Sequence, residues 1–273
     1  MSYPLFDTHT HFDVADFDPD REPLAYAAKA VGVERLILIG FVQSRFKNLV
    51  HTQHFLNHLP DAPKSYLAPG LHPFYIEQHQ SSHLIDLEQL LKNEECVAIG
   101  EIGLDTFLKQ HKQAEISKKQ QDFFSAQLEL AQQFDKPVLL HIRKSHAETL
   151  AILKQHQFKG GGIAHAFSGG IEEAKAFIKL GFKIGVTGQI TNPNAKKLHA
   201  VVQEVGAEHL VLETDCPDMT PLCCQSSTEH RTRNTPANLP YVLAGLAQSL
   251  HLEPDSLALQ LWQNSLLALK IDI

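Results

Sequence analysis

The stretch FDTHTHFD, residues 6–13, places His9 and His11 one residue apart between Asp7 and Asp13, directly after a short apolar run. Side chains alternate faces along a strand, so His9, His11 and Asp7 are expected to point the same way. Two imidazoles converging at a strand end are half of a metal site, although a His-x-His pair alone is a weak signal. Ligand-type residues recur after later apolar runs. They are His72 in GLHP, Glu101 in IGEIGLD, His141 in LLHIR, His165 in IAHAFSGG and Asp215 in LETDCP. Repetition at so many strand ends points to a metal centre. A buried charge costs several kcal/mol, roughly, unless it is paired or metal-bound. Four imidazoles and two carboxylates exceed one tetrahedral metal that must keep an open position, and they suit two divalent ions sharing a carboxylate. Zinc, manganese or magnesium are the expected ions, and an imidazole-rich set disfavours magnesium.

Something must hold these residues at one place. Eight short apolar runs recur, near 4–9, 35–40, 66–72, 96–101, 137–141, 161–165, 182–188 and 210–215. Several are apolar throughout, as in strands covered on both faces. Between them lie segments with apolar residues three and four apart, such as DREPLAYAAKAVG, HLIDLEQLLKN and SKKQQDFFSAQLELAQQFD, which predict helices. The first should stop at Gly32, and the C-terminal stretch should form two helices broken near Pro254. Strands alternating with helices predict an α/β parallel sheet, and eight such units predict a (β/α)8 TIM-type barrel of ~250 residues. With no linker or repeat in view, residues 1–273 form one domain in this reading. The alternative is an open doubly wound sheet. Chemistry in a barrel sits at the C-terminal strand ends, where the ligand-type residues lie.

The 273 residues carry a formal net charge of −7, which argues against a protein that coats long nucleic acid through a basic surface. The four cysteines show no C-x-x-C spacing, and adjacent Cys223 and Cys224 make a poor disulfide framework. No signal peptide or membrane-length apolar run is evident, so a cytoplasmic protein without membrane contact is expected. The oligomeric state is not set by the sequence, and a monomer is the simplest expectation. Among the 17 histidines, His51, His54, His58, His79, His83, His111 and His156 lie among polar residues and read as solvated.

Taken together, FDTHTHFD, IGEIGLD, PVLLHIR, AHAFSG and LETDCPDM resemble the TatD family of metal-dependent deoxyribonucleases, and LETDCPDM with KIGVTGQITNP resembles its YjjV-type branch. The resemblance runs from residue 4 to the final helices. It implies a binuclear metal hydrolase, a deoxyribonuclease and exonuclease, that cleaves phosphodiester bonds with metal-activated water. It further implies that His9 and His11 bind the first metal, that Glu101 bridges, that His141 and His165 bind the second, and that Asp215 completes the first site and helps deprotonate the water. The chain departs from the family pattern at Ala147, where an acidic residue is usual, at Gly206, and in the loop after Asp215, MTPLCCQSSTEHRTRNTP, which should cover the mouth of the site.

His72 and Arg143 are candidate substrate-binding residues. Arg143 lies two residues beyond His141, where a guanidinium can clamp a phosphate, and its alternative is an ion pair with a loop carboxylate. His72 can bind substrate or donate a proton, or hold the strand end by a structural hydrogen bond. Arg231 and Arg233 are exposed loop charges that could touch phosphate, while Trp262, Phe123 and Phe124 read as core. The expected partner is DNA, single-stranded or at frayed ends. The same centre would also serve an amidohydrolase acting on a small amide, ester or lactone, or a metal-binding scaffold without turnover.

Overall fold

The computed structural model describes residues 3–227 and 231–272. Eight parallel strands occur where the apolar runs predict them: β1 Leu5–Thr10, β2 Val33–Ile39, β3 Lys64–Ala68, β4 Ile99–Asp105, β5 Val138–Arg143, β6 Gly162–Ala164, β7 Phe182–Val186 and β8 Leu210–Leu212. The helices alternate with them: α1 Arg21–Ala30, α2 Phe46–His58, α3 Ser81–Asn93, α4 Ala114–Gln133, α5 His146–Gln155, α6 Ile171–Lys179, α7 Lys196–Val205, α8 Leu239–Leu250 and α9 Pro254–Leu269. The Pro254 break and the left-handed turn at Gly32 (φ 93°) stand where the sequence places them.

The ring is a TIM-type barrel in which regular pairing forms two ladders, β1–β2–β3 and β4 through β8. Single backbone hydrogen bonds join the ladders at two seams. At one seam, Val97 donates to the Leu67 carbonyl and Gly100 to that of Pro69. At the other, Asp215 donates to the His9 carbonyl and His11 to that of Cys216, each at 2.9 Å. The buried Asp7 carboxylate reinforces the second seam by accepting from the Thr214 N–H and hydroxyl.

Two apolar clusters fill the molecule. The larger lies between strands and helices. The smaller fills the barrel with Phe6, Ile37, Ile39, Tyr66, Ala98, Leu139, Ile163 and Val211, and Leu266 and Leu269 of α9 pack into it from below. On β5, alternation carries the inner face from Leu139 to His141, and on β6 and its end from Ile163 to His165. Core therefore gives way to site one step along the same face. β1 departs from this rule. Its register against β2 shifts between Leu5 and Phe6 and between Asp7 and Thr10, so Phe6 joins the inner cluster although strict alternation from His9 would turn it outward.

α4 ties the strand ends from outside. Gln120 and Gln127 lie two turns apart on its buried face. Gln120 accepts from the Asp105 N–H (2.9 Å) and donates to the Asp105 carbonyl (3.0 Å), while Gln127 accepts from the Leu71 N–H (2.7 Å). At Gly103 the backbone has φ 141°, and a Cβ there would stand 2.2 Å from the His141 carbonyl oxygen. Gly103→Ala is expected to cost about 2–5 kcal/mol through backbone strain and overpacking. Urea unfolding measures it, and an unshifted midpoint would show that β4 and β5 separate freely.

Candidate metal centre

The C-terminal strand ends open into a cavity of about 980 Å³ whose lining includes His11, His72, Glu101, His141, Arg143, His165 and Asp215. Glu101 stands at its centre. Its Oε1 lies 2.6 Å from His141 Nδ1, 3.3 Å from His72 Nε2 and 3.9 Å from His165 Nε2. Its Oε2 lies 3.3 Å from His9 Nε2 and 3.7 Å from His11 Nε2. Five imidazoles thus face one carboxylate. Asp215, in the left-handed region at φ 54°, turns its carboxylate across the opening, 3.8 Å from both His9 Nε2 and His11 Nε2 and 3.6 Å from His165 Nε2. Aspartate tolerates that conformation better than most residues.

Three triplets of donor atoms are close enough to hold a cation: His9, His11 and Asp215; His9, Glu101 and His165; and His72, Glu101 and His141. Glu101 belongs to two of them, as a shared carboxylate must. The grouping differs from the family assignment in one respect. His165 stacks on His9, with ring centroids 3.4 Å apart, and His141 stands beside His72.

The outward nitrogens of the rings sort these histidines. His141 spans two carboxylates, Nε2 donating to Asp105 Oδ2 (3.0 Å) on the outer side and Nδ1 facing Glu101 Oε1 (2.6 Å) at the centre. His165 Nδ1 contacts Glu213 Oε1 at 3.0 Å, leaving Nε2 inward. His11 Nδ1 donates to the Ile39 carbonyl (3.3 Å), again leaving Nε2 inward. His72 is the reverse case. Its Nδ1 accepts the Phe74 N–H (2.9 Å), so the neutral ring carries its proton on Nε2, toward Glu101. Three rings therefore turn to the centre a nitrogen that becomes a metal-donor lone pair once its proton is displaced, and neutral His72 presents a proton.

The electrostatics call for cations. Burial pushes the Glu101 carboxyl up, but His72, His165, His141 and His9 outweigh it and hold Glu101 well below the ordinary range. Burial likewise opposes charge on His141, yet Glu101 and Asp105 raise it to about 9, and Glu213, Asp215 and Glu101 hold His165 well above its ordinary value. Asp105 is lowered to about 2 because hydrogen bonds from His141 and the Phe107 N–H overcome its burial. Burial depresses His72 to about 4, so it is neutral at pH 7. Among the described residues, neither ring nitrogen of His9 has a hydrogen-bond partner, nor has His165 Nδ1 or Glu213 Oε2. Inward-facing ring nitrogens, depressed carboxylates and orphaned imidazole nitrogens are the donor set that divalent cations fit.

Arg143 reaches the cavity but makes no ion pair among the described residues; its guanidinium lies over the Phe107 ring. Arg231 lines the mouth and pairs with Asp218 (3.0 Å), whereas Arg233 pairs with Asp20 and lies over Phe17. The loop after Asp215 lines the mouth through Pro217–Thr220, Gln225, Ser227 and Arg231–Thr232, and its residues 228–230 lie outside the described residues. Phe123 and Phe124 are core, and Trp262 packs on Phe6 below the barrel.

Two histidines read as solvated are buried. His79 Nε2 bonds to the His72 carbonyl (2.9 Å), and His111 lies 3.4 Å from Asp105 Oδ1. The turns after β3 and β4 fold back over the strand ends and enclose them, which their polar sequence neighbours do not reveal. Asp105 and Glu213 also escaped the sequence reading. Each sits in a quoted motif, four residues after Glu101 and two before Asp215, and that position was the available signal.

Among the described residues, no helix is long and apolar enough to cross a membrane. A family profile described as TatD related DNase matches residues 6–270. A Haemophilus influenzae protein named an uncharacterized metal-dependent hydrolase is 39% identical over 220 residues, covering 79% of this chain and 82% of its own. An Edwardsiella piscicida protein named 3'-5' ssDNA/RNA exonuclease TatD is 31% identical over 240 residues, covering 87% and 88%. The crystal structure of the TatD homologue YjjV from Escherichia coli superimposes with a TM-score of 0.86 at 33% identity, over 98% of both chains. With its ligand-type residues gathered at the strand ends of one barrel and its sequence matched almost end to end, this chain belongs to the TatD-related family of metal-dependent hydrolases.

Proposed function

We propose that the protein is a binuclear metal-dependent exonuclease that hydrolyses phosphodiester bonds at the end of single-stranded or frayed DNA. The observation that carries this reading is the single Glu101 carboxylate set among five imidazoles, with Asp215 beside it, at the floor of an open concave cavity. In this reading His9, His11 and Asp215 would hold one cation and, as the family pattern implies, His141 and His165 the other, with Glu101, which belongs to two of the donor triplets, available to both. When bound, divalent cations neutralise charge on phosphate oxygens and make water a competent nucleophile near neutral pH.

The chain's own groups do the rest. The Asp215 side chain is 13% exposed against 3% for Glu101, so Asp215 is the carboxylate that attacking water reaches and the one that takes its proton. His72, neutral and protonated on Nε2, donates a hydrogen bond to the departing oxygen. Arg143 and Lys144 place positive charge at the rim. The relative named a 3'-5' ssDNA/RNA exonuclease supports the substrate class.

End specificity follows from charge and shape. Gripping continuous duplex takes a basic track. Here the net charge is −7, and cations such as Lys29, Arg45, Lys175, Arg231 and Arg233 are paired with carboxylates. A concave mouth admits a free strand end more readily than an internal phosphate. Metal-reconstituted protein is expected to degrade linear single-stranded DNA at least about tenfold faster than a covalently closed single-stranded circle at equal nucleotide concentration, a gap like that from losing one base or phosphate contact. Equal rates on the two would remove the end-specific reading. Turnover of a small ester or lactone with neither DNA cleaved would replace the nuclease reading altogether.

A further inference from the structure

Arg143 is one inward step beyond His141 on β5 and pairs in register with Asp105 of β4. Its guanidinium carbon lies 3.8 Å from the centre of the Phe107 ring, with the Lys144 ammonium 5.0 Å from the same ring. The backbone holds this arrangement. Phe107 N–H donates to Asp105 Oδ1 (2.8 Å), Thr106 N–H to the Arg143 carbonyl (3.0 Å) and the Thr106 hydroxyl to the Lys144 carbonyl (2.7 Å). Phe107 is nonetheless 44% exposed, and Phe74 on the cavity wall is 40% exposed. Two large exposed rings thus stand at or beside a polar cavity, and a guanidinium with no ion pair among the described residues lies over one of them, a surface suited to a flat group.

We propose that the Arg143–Phe107 pair is the platform on which the unpaired base next to the scissile phosphate stacks. This rests on the nuclease reading and names its base subsite. A planar cation held against an aromatic ring presents a π-surface and positive charge together, and bases of every type have a π-face to lay on it. The platform is continuous with the centre, because Asp105 holds both Phe107 and the metal-facing orientation of His141. A base inside a duplex has both faces covered, so the platform selects unpaired ends. Arg143 is then a stacking surface as well as a charge, and lysine cannot replace it.

The test uses metal-free protein and a short single-stranded oligonucleotide with 2-aminopurine at its terminal position, whose fluorescence is quenched by stacking. The parent protein should quench the probe. Phe107→Ala and Arg143→Lys should each weaken binding about tenfold and lose the quenching, while Phe107→Trp keeps both. An abasic terminal nucleotide should weaken binding to the parent by a similar factor and to Arg143→Lys by little. Parent-like affinity and quenching in Arg143→Lys would overturn the platform and leave Arg143 a phosphate contact. Equal binding of abasic and base-bearing ends by the parent would overturn it too, as would failure to bind the oligonucleotide. Quenching without DNA cleavage by the metal-loaded protein would sink the nuclease reading and keep the platform. Cleavage with no quenching would do the reverse.

Discussion

Glu101→Ala is expected to hold less than one metal ion per chain and to lose more than about a hundredfold in hydrolysis, whereas the parent is expected to hold two ions. Groups that merely orient a metal ligand already cost about 10–100-fold when changed, and Glu101 sits at the centre itself. Its two oxygens divide the imidazoles, Oε1 facing His72, His141 and His165 and Oε2 facing His9 and His11. In the proposed two-ion centre, removing the carboxylate would take an anionic ligand from both ions and leave two dications with no anion to offset their repulsion. His9→Ala removes one neutral donor and should retain more metal. Elemental analysis of parent and both variants at saturation measures this. Equal metal content in Glu101→Ala and His9→Ala would take Glu101 out of the bridging role, and one ion in the parent would dismiss the binuclear centre.

Asp105→Asn and Glu213→Gln should each weaken metal binding by about 10–100-fold while the fold stays intact. Both changes keep the side-chain shape. In Asp105→Asn the new amide would present either its oxygen or its NH2 group to His141 Nε2. The NH2 arrangement reverses the ring, placing its proton on Nδ1, toward Glu101, where a lone pair is needed. In Glu213→Gln the amide oxygen can still accept the Ala166 N–H that Glu213 accepts at 2.6 Å, but the negative charge beside His165 Nδ1 is gone. The barrel makes specific room for that carboxylate, since a Cβ on Gly185 would lie 2.4 Å from Glu213 Oε1. Chelator competition measures affinity, and excess metal should restore much of the Glu213→Gln rate. Parent-like affinity in both variants, with parent-like thermal melting, would show that these carboxylates do not orient the ligands.

The eight strands, the helices between them and the ligand-type residues at the strand ends are legible in the sequence by itself. The reason is local. Apolar runs covered on both faces, helical spacing and strand-end position are properties of a few consecutive residues, and the barrel follows from their alternation. FDTHTHFD, IGEIGLD and LETDCP therefore announce a site before any contact is known.

Tertiary structure decided what depends on distant partners. The β1 register shifts, and with them the inward turn of both Phe6 and His9, follow from pairing with β2 and β8 rather than from β1 alone. His79 and His111 are buried by turns that polar composition does not distinguish from surface loops. Arg143 stacks on Phe107 because β4 and β5 end side by side. Carboxylates far away in the chain stand at the outer nitrogens of these rings, Asp105 hydrogen-bonded to His141 Nε2 and Glu213 3.0 Å from His165 Nδ1. A histidine's place at a strand end is written in its neighbours in sequence. The direction of its lone pair is written only in its neighbours in space, because the proton on one ring nitrogen goes where an acceptor waits for it.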